Sequence, residues 1–229
     1  MFLTSFPAGP WQANTYVFAP DDTHAVVIDP GVGAFDPVVR IVDEHGLTVQ
    51  GVLLTHGHID HVATAADVAD RYGVPAWIHH ADRELLTDPG MPGVPMEVLV
   101  AQFGVNLREP SDLRTWSGGE TVEVAGASFE IVHAPGHRPG CVLLRHRLPE
   151  ALPQMPAVRE LIFSGDVVFA GSIGRTDLPG GDQAAMITSL RDVVLGLPDA
   201  AALLPGHGPQ TTMAHERATN PYLQPSFLG

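Results

Sequence analysis

An α+β sandwich with helices on its outside is the fold class this sequence predicts. Three observations lead there. Short β-branched runs alternate with segments of helical period along the chain. The turn signals between several of the runs are short enough for antiparallel pairing, which favours a β-rich, helix-flanked layout over a purely parallel sheet. Four clusters of polar, titratable side chains each follow directly on a predicted strand, the place where a rigid scaffold presents chemistry on loops. No linker, repeat or low-complexity segment interrupts the pattern, so residues 1–229 read as a single domain, long enough for a substantial core.

The elements follow in order. NTYVFAP and HAVVIDPG read as two strands of a hairpin turning at Asp21 and Asp22. FDPVVRIVDEHG reads as a helix, apolar at Val38, Val39, Ile41 and Val42 and stopped by Gly46. QGVLLT is a buried strand, followed by a helix through about Tyr72 that Gly73 ends, and PAWIHH is another short strand. ADRELLTD suggests a helical turn. The Pro/Gly/Met stretch after it reads as a loop, with a short helix from Glu97 to Phe103. TVEVAGASFEIVHAPGH and GCVLLRHR supply three antiparallel strands, and ELIFSGD is a strand reached through a Pro-rich loop at 149–157. A helix at about 183–196 leads to the last strand, AALLPGHG.

Composition excludes several functions. The formal net charge of −14 disfavours nucleic acid and anionic lipid, whose binding depends on clustered cations. No apolar run is long enough to cross a bilayer, and MFLTSFPAGPW lacks the basic flank of a signal peptide. A single cysteine excludes an internal disulfide and suits a reducing, cytoplasmic location. Every basic side chain is arginine, which reads as coding bias.

The 12 histidines are clustered rather than scattered. His56, His58, Asp60 and His61 follow VLLT. His137 follows FEIVHAPG, Asp166 follows LIFSG and His207 follows ALLPG. Imidazole and carboxylate are the donors that first-row divalent metals favour. In H-x-H-x-D-H, His56 and His58 lie on one side of an extended turn and can grip one ion, while Asp60 and His61 point onward to a second. Five histidines and two carboxylates exceed what one tetrahedral ion uses, so two ions sharing a bridge is the economical count. The helical H-E-x-x-H spacing is absent.

In that order, THGHIDH, APGH, FSGD and PGHG resemble the signature motifs of the metallo-β-lactamase superfamily, and the resemblance spans residues 12 to 222. It implies the four-layer αββα sandwich. It also implies one metal on His56, His58 and His137, a second on Asp60, His61 and His207, and Asp166 bridging both. The ions are expected to be zinc, with iron or manganese suiting the same donors. GDVVFAGSIGRTDLPGGD and the tail ERATNPYL are similar to short proteins grouped with hydroxyacylglutathione hydrolase (glyoxalase II). This implies hydrolysis of a small-molecule thioester of the hydroxyacylglutathione type by a hydroxide held between the metals, with Asp60 orienting it as the catalytic residue. Only 229 − 207 = 22 residues follow the last candidate ligand, so the C-terminal helical domain of the long form is not expected. Arg175 is the candidate for the thiol carrier's carboxylate, with an ion pair to Asp177 or Asp182 as the structural alternative.

Rival readings are an iron-dependent persulfide dioxygenase using His56, His137 and Asp166, a lactonase or β-lactamase, a nucleic-acid hydrolase and a non-catalytic metal-binding protein. Other residues receive plainer roles. Asp29 either fixes a ligand imidazole or serves a turn. Arg138, where the family more often has Thr, is either exposed or narrows the pocket. His79 and His80 are structural, His133 is a buried strand end, and Cys141 is a small core residue. His24, His45, His146 and His215 are placed at the surface. Met91 and Met96 line a loop over the pocket or merely pack. The acyl group, thiol carrier and oligomeric state are not legible.

Overall fold

In this computed structural model residues 1–89, 96–150 and 156–229 are described. The first half of the chain builds one sheet. Its strands, in spatial as in chain order, are β1 (Phe2–Ala8), β2 (Ala13–Ala19), β3 (His24–Ile28), β4 (Thr48–Leu53), β5 (Ala76–His79) and β6 (Leu113–Trp116). β1 to β3 run antiparallel, and β3 to β6 run parallel. The parallel connections carry helices, as crossovers must. These are α1 (Phe35–His45) after β3, then α2 (Ile59–Val62) and α3 (Ala65–Tyr72) after β4. A 3₁₀ turn (His80–Leu86) and α4 (Met96–Phe103) follow β5.

The second sheet comprises β7 (Thr121–Val124), β8 (Ala127–His133), β9 (Val142–Arg147) and β10 (Glu160–Gly165). The short hairpin β11 (Val168–Phe169) and β12 (Ser172–Ile173) precedes α5 (Gln183–Asp192). The chain then adds β13 (Ala201–Pro205) and β14 (Thr211–Thr212), and ends in α6 (Met213–Thr219) and α7 (Pro225–Leu228). The spatial order is β14-β13-β10-β9-β8-β7, antiparallel throughout except for the parallel pair β10–β13.

Alternation along the strands divides the apolar side chains between two faces. Tyr16, Phe18, Val26 and Ile28 of the first sheet meet Phe129, Leu144, Leu161 and Phe163 of the second. The intervening Val17, Ala25 and Val27 face outward onto Val38 and Val42 of α1 and Val68 of α3. On the far side, Leu143, Ile162 and Leu203 pack on Met186 and Leu190 of α5 and Met213 of α6. Helix, sheet, sheet and helix form four layers, as expected. Strands covered on both faces explain why LIF and ALLP read as continuous apolar runs. The Phe18 ring lies edge-on to Phe129 with centroids 6.1 Å apart. No helix among the described residues is long and apolar enough to cross a membrane.

Several expectations need correction. β1 and β6 carry no clean sequence signal and were not expected: Pro7 interrupts the first, and LRTW is a short, half-exposed edge. His146 is buried rather than at the surface, because its ring packs on Phe18 and Phe129. His45 and His215 are exposed, and His24 is partly exposed beside Asp21. His133 is half-buried, not buried. Cys141 lies in the apolar cluster under α5, where burial pushes its thiol well above the usual range. Met91 and the side chain of Met96 lie outside the described residues.

Candidate metal centre

β4, β8, β10 and β13 all deliver their following residues to one rim. After β4 the chain bends at Thr55 and reaches His58, which caps α2 from extended backbone with φ −64° and ψ 145°. His56 and His58 therefore precede the helix, whereas Asp60 and His61 stand in the first turn of α2. His137 follows β8, Asp166 follows β10 and His207 follows β13.

The structure brings these seven side chains together. Donor atoms of His56, His58 and His137 form one group within 4.8 Å of one another, and those of Asp60, His61 and His207 form another. Asp166 stands between them. Its Oδ1 is 3.4 Å from His61 Nε2, and its Oδ2 is 3.4 Å from His137 Nε2 and 3.5 Å from His207 Nε2. Within the groups, His58 Nδ1 is 2.8 Å from His137 Nε2, and His61 Nε2 is 3.3 Å from His207 Nε2.

Outer partners fix which nitrogen carries the hydrogen in three of the five rings. His137 Nδ1–H donates to the Arg175 carbonyl at 2.7 Å. His61 Nδ1–H donates to Asp29 Oδ2 at 3.1 Å. Thr55 Oγ1 donates to the same Asp29 oxygen at 2.6 Å and accepts from His56 Nδ1–H at 3.1 Å. In the neutral form of these three rings Nε2 is thereby left with the lone pair directed at the centre. Asp29 thus does hold a candidate ligand imidazole, and holds a second through Thr55. It also turns the chain, with φ 51°.

Charge is distributed unequally. Burial, and then the neighbouring His137, lowers His58 to about 3. Burial likewise lowers His56 and His137 below the ordinary imidazole range. In the other group burial opposes the charged form of His61, but Asp60, Asp166 and Asp29 overcome it and push His61 up to about 10. His207 is raised in the same way, against burial, by Asp60 and Asp166. Asp60 is held well below the usual carboxylate range, burial being outweighed by His61 and His207. The carboxylates draw positive charge into this half of the site.

The donor set suits divalent cations. His56 Nε2 and Asp166 Oδ1 are buried with no hydrogen-bond partner among the described residues, an arrangement that buried polar atoms avoid unless something else binds them. Gly206 keeps the space beside them clear, since a Cβ there would lie 2.2 Å from Asp166 Oδ1 and 2.7 Å from His61 Cε1.

Residues 8–152 match the family model of the metallo-beta-lactamase superfamily. The chain belongs to the metallo-β-lactamase superfamily. It is 41% identical over 226 residues to an uncharacterized protein of Mycobacterium tuberculosis, covering 98% of each chain. It is 34% identical to a probable metallo-hydrolase of Bacillus subtilis, covering 95% of each. To the hydroxyacylglutathione hydrolase GloC of Haemophilus influenzae it is 32% identical, covering 97% of this chain and 98% of that one. Among solved structures it resembles the BLEG-1 B3 metallo-β-lactamase, with a TM-score of 0.82, 34% identity and coverage of 97% and 100%. A protein solved in a di-iron-bound form, TTHA1623, gives a TM-score of 0.74 at 32% identity, with the same coverage.

In this superfamily member the remaining expected residues are placed as follows. Arg175 lines the cavity beside the centre but is held bidentately by Asp177, at 2.7 Å through both Nε and Nη2. Arg138 is buried and lines the same cavity. Three supporting residues escaped the sequence reading. Asn14 Nδ2 donates to the carbonyls of Pro205 and Gly208, both at 2.9 Å, and so clamps the His207 loop. Thr55 relays Asp29 to His56. Asp82 accepts from Gly57 N–H at 2.9 Å and Gly140 N–H at 3.0 Å, tying two candidate-ligand loops together. Only the D-P-G turn at Asp29 had a visible signal; the other contacts join residues far apart in the chain.

Proposed function

We propose that the protein is a metal-dependent hydrolase of small-molecule thioesters of the hydroxyacylglutathione type. His56, His58 and His137 would hold one divalent cation, Asp60, His61 and His207 a second, and Asp166 would contact both. The observation that carries the reading is the convergence of these seven donors, five of which (His58, Asp60, His137, Asp166 and His207) line a cavity of about 640 Å³. The likeness to the Haemophilus influenzae hydrolase over nearly the whole chain supports the thioester class.

Bound divalent cations supply a polarised carbonyl and a water that ionises near neutral pH. The chain's own residues do the rest. Asp60 stays ionised and accepts a hydrogen bond at Oδ2 from the attacking water, orienting it. A carboxylate this acidic is a weak base, so orientation is its main contribution. Trp11, Ile59, Phe169 and Leu178 exclude bulk water from the cavity wall. The histidines in the described lining, His58, His137 and His207, are all candidate ligands, which leaves none of them free to protonate a departing amine once metal is bound. A thiol, which ionises at about 8.5, leaves as thiolate without that help. This favours a thioester over an amide.

A second reading, β-lactam hydrolysis, is favoured by the likeness to the B3 enzyme. A third, iron-dependent oxidation of a persulfide, draws on the likeness to a protein solved in a di-iron-bound form for its metal alone. One set of measurements separates them: elemental analysis of the purified protein, with hydrolysis of S-lactoylglutathione, hydrolysis of benzylpenicillin and oxygen uptake with glutathione persulfide. The expected result is about two divalent ions per chain and thioester cleavage. Asp60→Asn should lower kcat by about 10²-fold or more. Cleavage of penicillin, or oxygen uptake, with the thioester untouched would overturn the proposal.

A further inference from the structure

We propose that Arg138 determines specificity by binding a carboxylate of the substrate, so that the cavity selects anionic thioesters. The substrates named rest on the hydrolase reading above; the recognition chemistry does not.

Two cations line the cavity, and they differ in capacity. The Arg175 fork is filled by Asp177, and its side chain is 62% exposed. Arg138 is only 6% exposed, yet its fork is mostly unused. Nη1 donates to the Pro179 carbonyl. Nε is buried without a hydrogen bond, 3.5 Å from Asp82 Oδ1. Nη2 makes no hydrogen bond among the described residues. A guanidinium has five N–H donors, and a buried one that served packing alone would be expected to satisfy them.

Asp82 does not complete the set. It is fully buried, and its two oxygens already accept from the backbone N–H groups of Gly57 and Gly140. It therefore fixes the position of Arg138 by charge and leaves donor capacity over. Gly180 lets the guanidinium tuck under the loop that carries Leu178 and Pro179, since a Cβ there would fall 2.2 Å from Nη1. The outcome is a desolvated cation one residue from His137, in a cavity whose lining also includes the carboxylates Asp60 and Asp166. The acceptor that best matches a part-filled arginine fork is a carboxylate. An anion entering a chain of net charge −14 also needs such a local cation.

The carboxylate could sit on the acyl half or on the thiol carrier, and four thioesters distinguish the two. They are acetyl and succinyl esters of glutathione and of N-acetylcysteamine. In Arg138→Gln the ratio of kcat/KM for anionic over neutral thioesters should fall about 10- to 100-fold, as expected for a lost charge-assisted hydrogen bond. The pair showing the fall identifies the half recognised. An equal fall on all four would overturn the proposal and leave Arg138 as a brace between loops. Arg138→Lys keeps the charge without the fork. It should retain part of the ratio, and it carries the test if the Gln variant does not fold. If the wild type cleaves none of the four, Arg138 is judged by equilibrium binding of glutathione and of succinate, and the hydrolase reading fails only if S-lactoylglutathione is untouched as well. Weaker binding by the variant then supports its role, and equal binding overturns it.

Discussion

Two groups of histidines lie in this molecule, and they use their nitrogens in opposite ways. His79, His80 and His133 pack as closely as the rings of the candidate centre: His79 and His133 stack with centroids 4.4 Å apart and planes 7° off parallel. Yet each is closed by the backbone. His79 Nε2–H donates to the Ser117 carbonyl at 3.0 Å, and its Nδ1 accepts from Ala81 N–H at 3.2 Å. His133 Nε2–H donates to the Pro139 carbonyl at 2.8 Å, and His80 Nδ1 faces the Trp116 carbonyl at 3.3 Å. At the candidate centre the outward nitrogens of His56, His61 and His137 are also satisfied, by Thr55, Asp29 and the Arg175 carbonyl, but the inward ones face each other, carboxylates or, for His56, no hydrogen-bond partner among the described residues. Proximity of histidines does not mark a ligand set; unsatisfied lone pairs on a common centre do.

The sharpest way to break this contrast is to truncate one member of each group. His56→Ala should release most of the bound metal and lower turnover by more than the roughly 10- to 100-fold that losing an outer partner costs. His79→Ala, on an equally buried ring, should leave metal content at the wild-type level. Elemental analysis of the two variants decides, and equal metal loss in both would erase the distinction.

The next largest effect tests the outer partner shared by two rings. Asp29→Asn preserves a residue type that tolerates φ 51° but removes the charge that holds His61 and, through Thr55, His56. Metal affinity should fall about 10- to 100-fold. A competitive chelator titration reads it, and unchanged affinity would mean that packing alone orients the rings.

How much of this was legible in the sequence depended on the range of the interaction. The H-x-H-x-D-H run and the strand-end positions of His137, Asp166 and His207 are local patterns, and the layers follow from alternation within single strands. What escaped was set by contacts between distant segments. Asn14 reaches Pro205 and Gly208, and Asp82 reaches Gly57 and Gly140, with nothing in their own neighbourhoods to announce it. His146 misled for the same reason. Its polar neighbours in LLRHRLPE suggest exposure, but period 2 and two phenylalanines from other strands turn it inward.

Asp82 makes that lesson quantitative. Asp82→Ala would leave two backbone N–H groups without their acceptor and Arg138 without its countercharge, at a cost of about 2–3 kcal/mol. Urea unfolding should show this as a lower midpoint at unchanged slope. A variant as stable as the wild type would show that the two loops are held by their other contacts.

The smallest effect concerns His146, a buried histidine of the backbone-satisfied kind. Its Nδ1–H donates to the Ser128 carbonyl at 3.0 Å, and its ring lies 5.2 Å from that of Phe18. Burial lowers its pKa, partly offset by the Ser128 carbonyl. In the unfolded chain it titrates near 6.5. Below that pH the unfolded state binds a proton that the folded state resists, so stability is complete above about 6.5 and is lost as the pH falls towards the folded value. His146→Phe keeps a ring against Phe18 and Phe129 and removes the titration. Between pH 5 and 7 its stability should therefore depend less steeply on pH, by at most about 1.4 kcal/mol per pH unit. Comparing the variant with the wild type cancels the other histidines, provided the sites are independent. Identical slopes would mean that His146 is as readily protonated in the fold as in water, and that a carbonyl partner and two aromatic faces are not enough to keep an imidazole neutral.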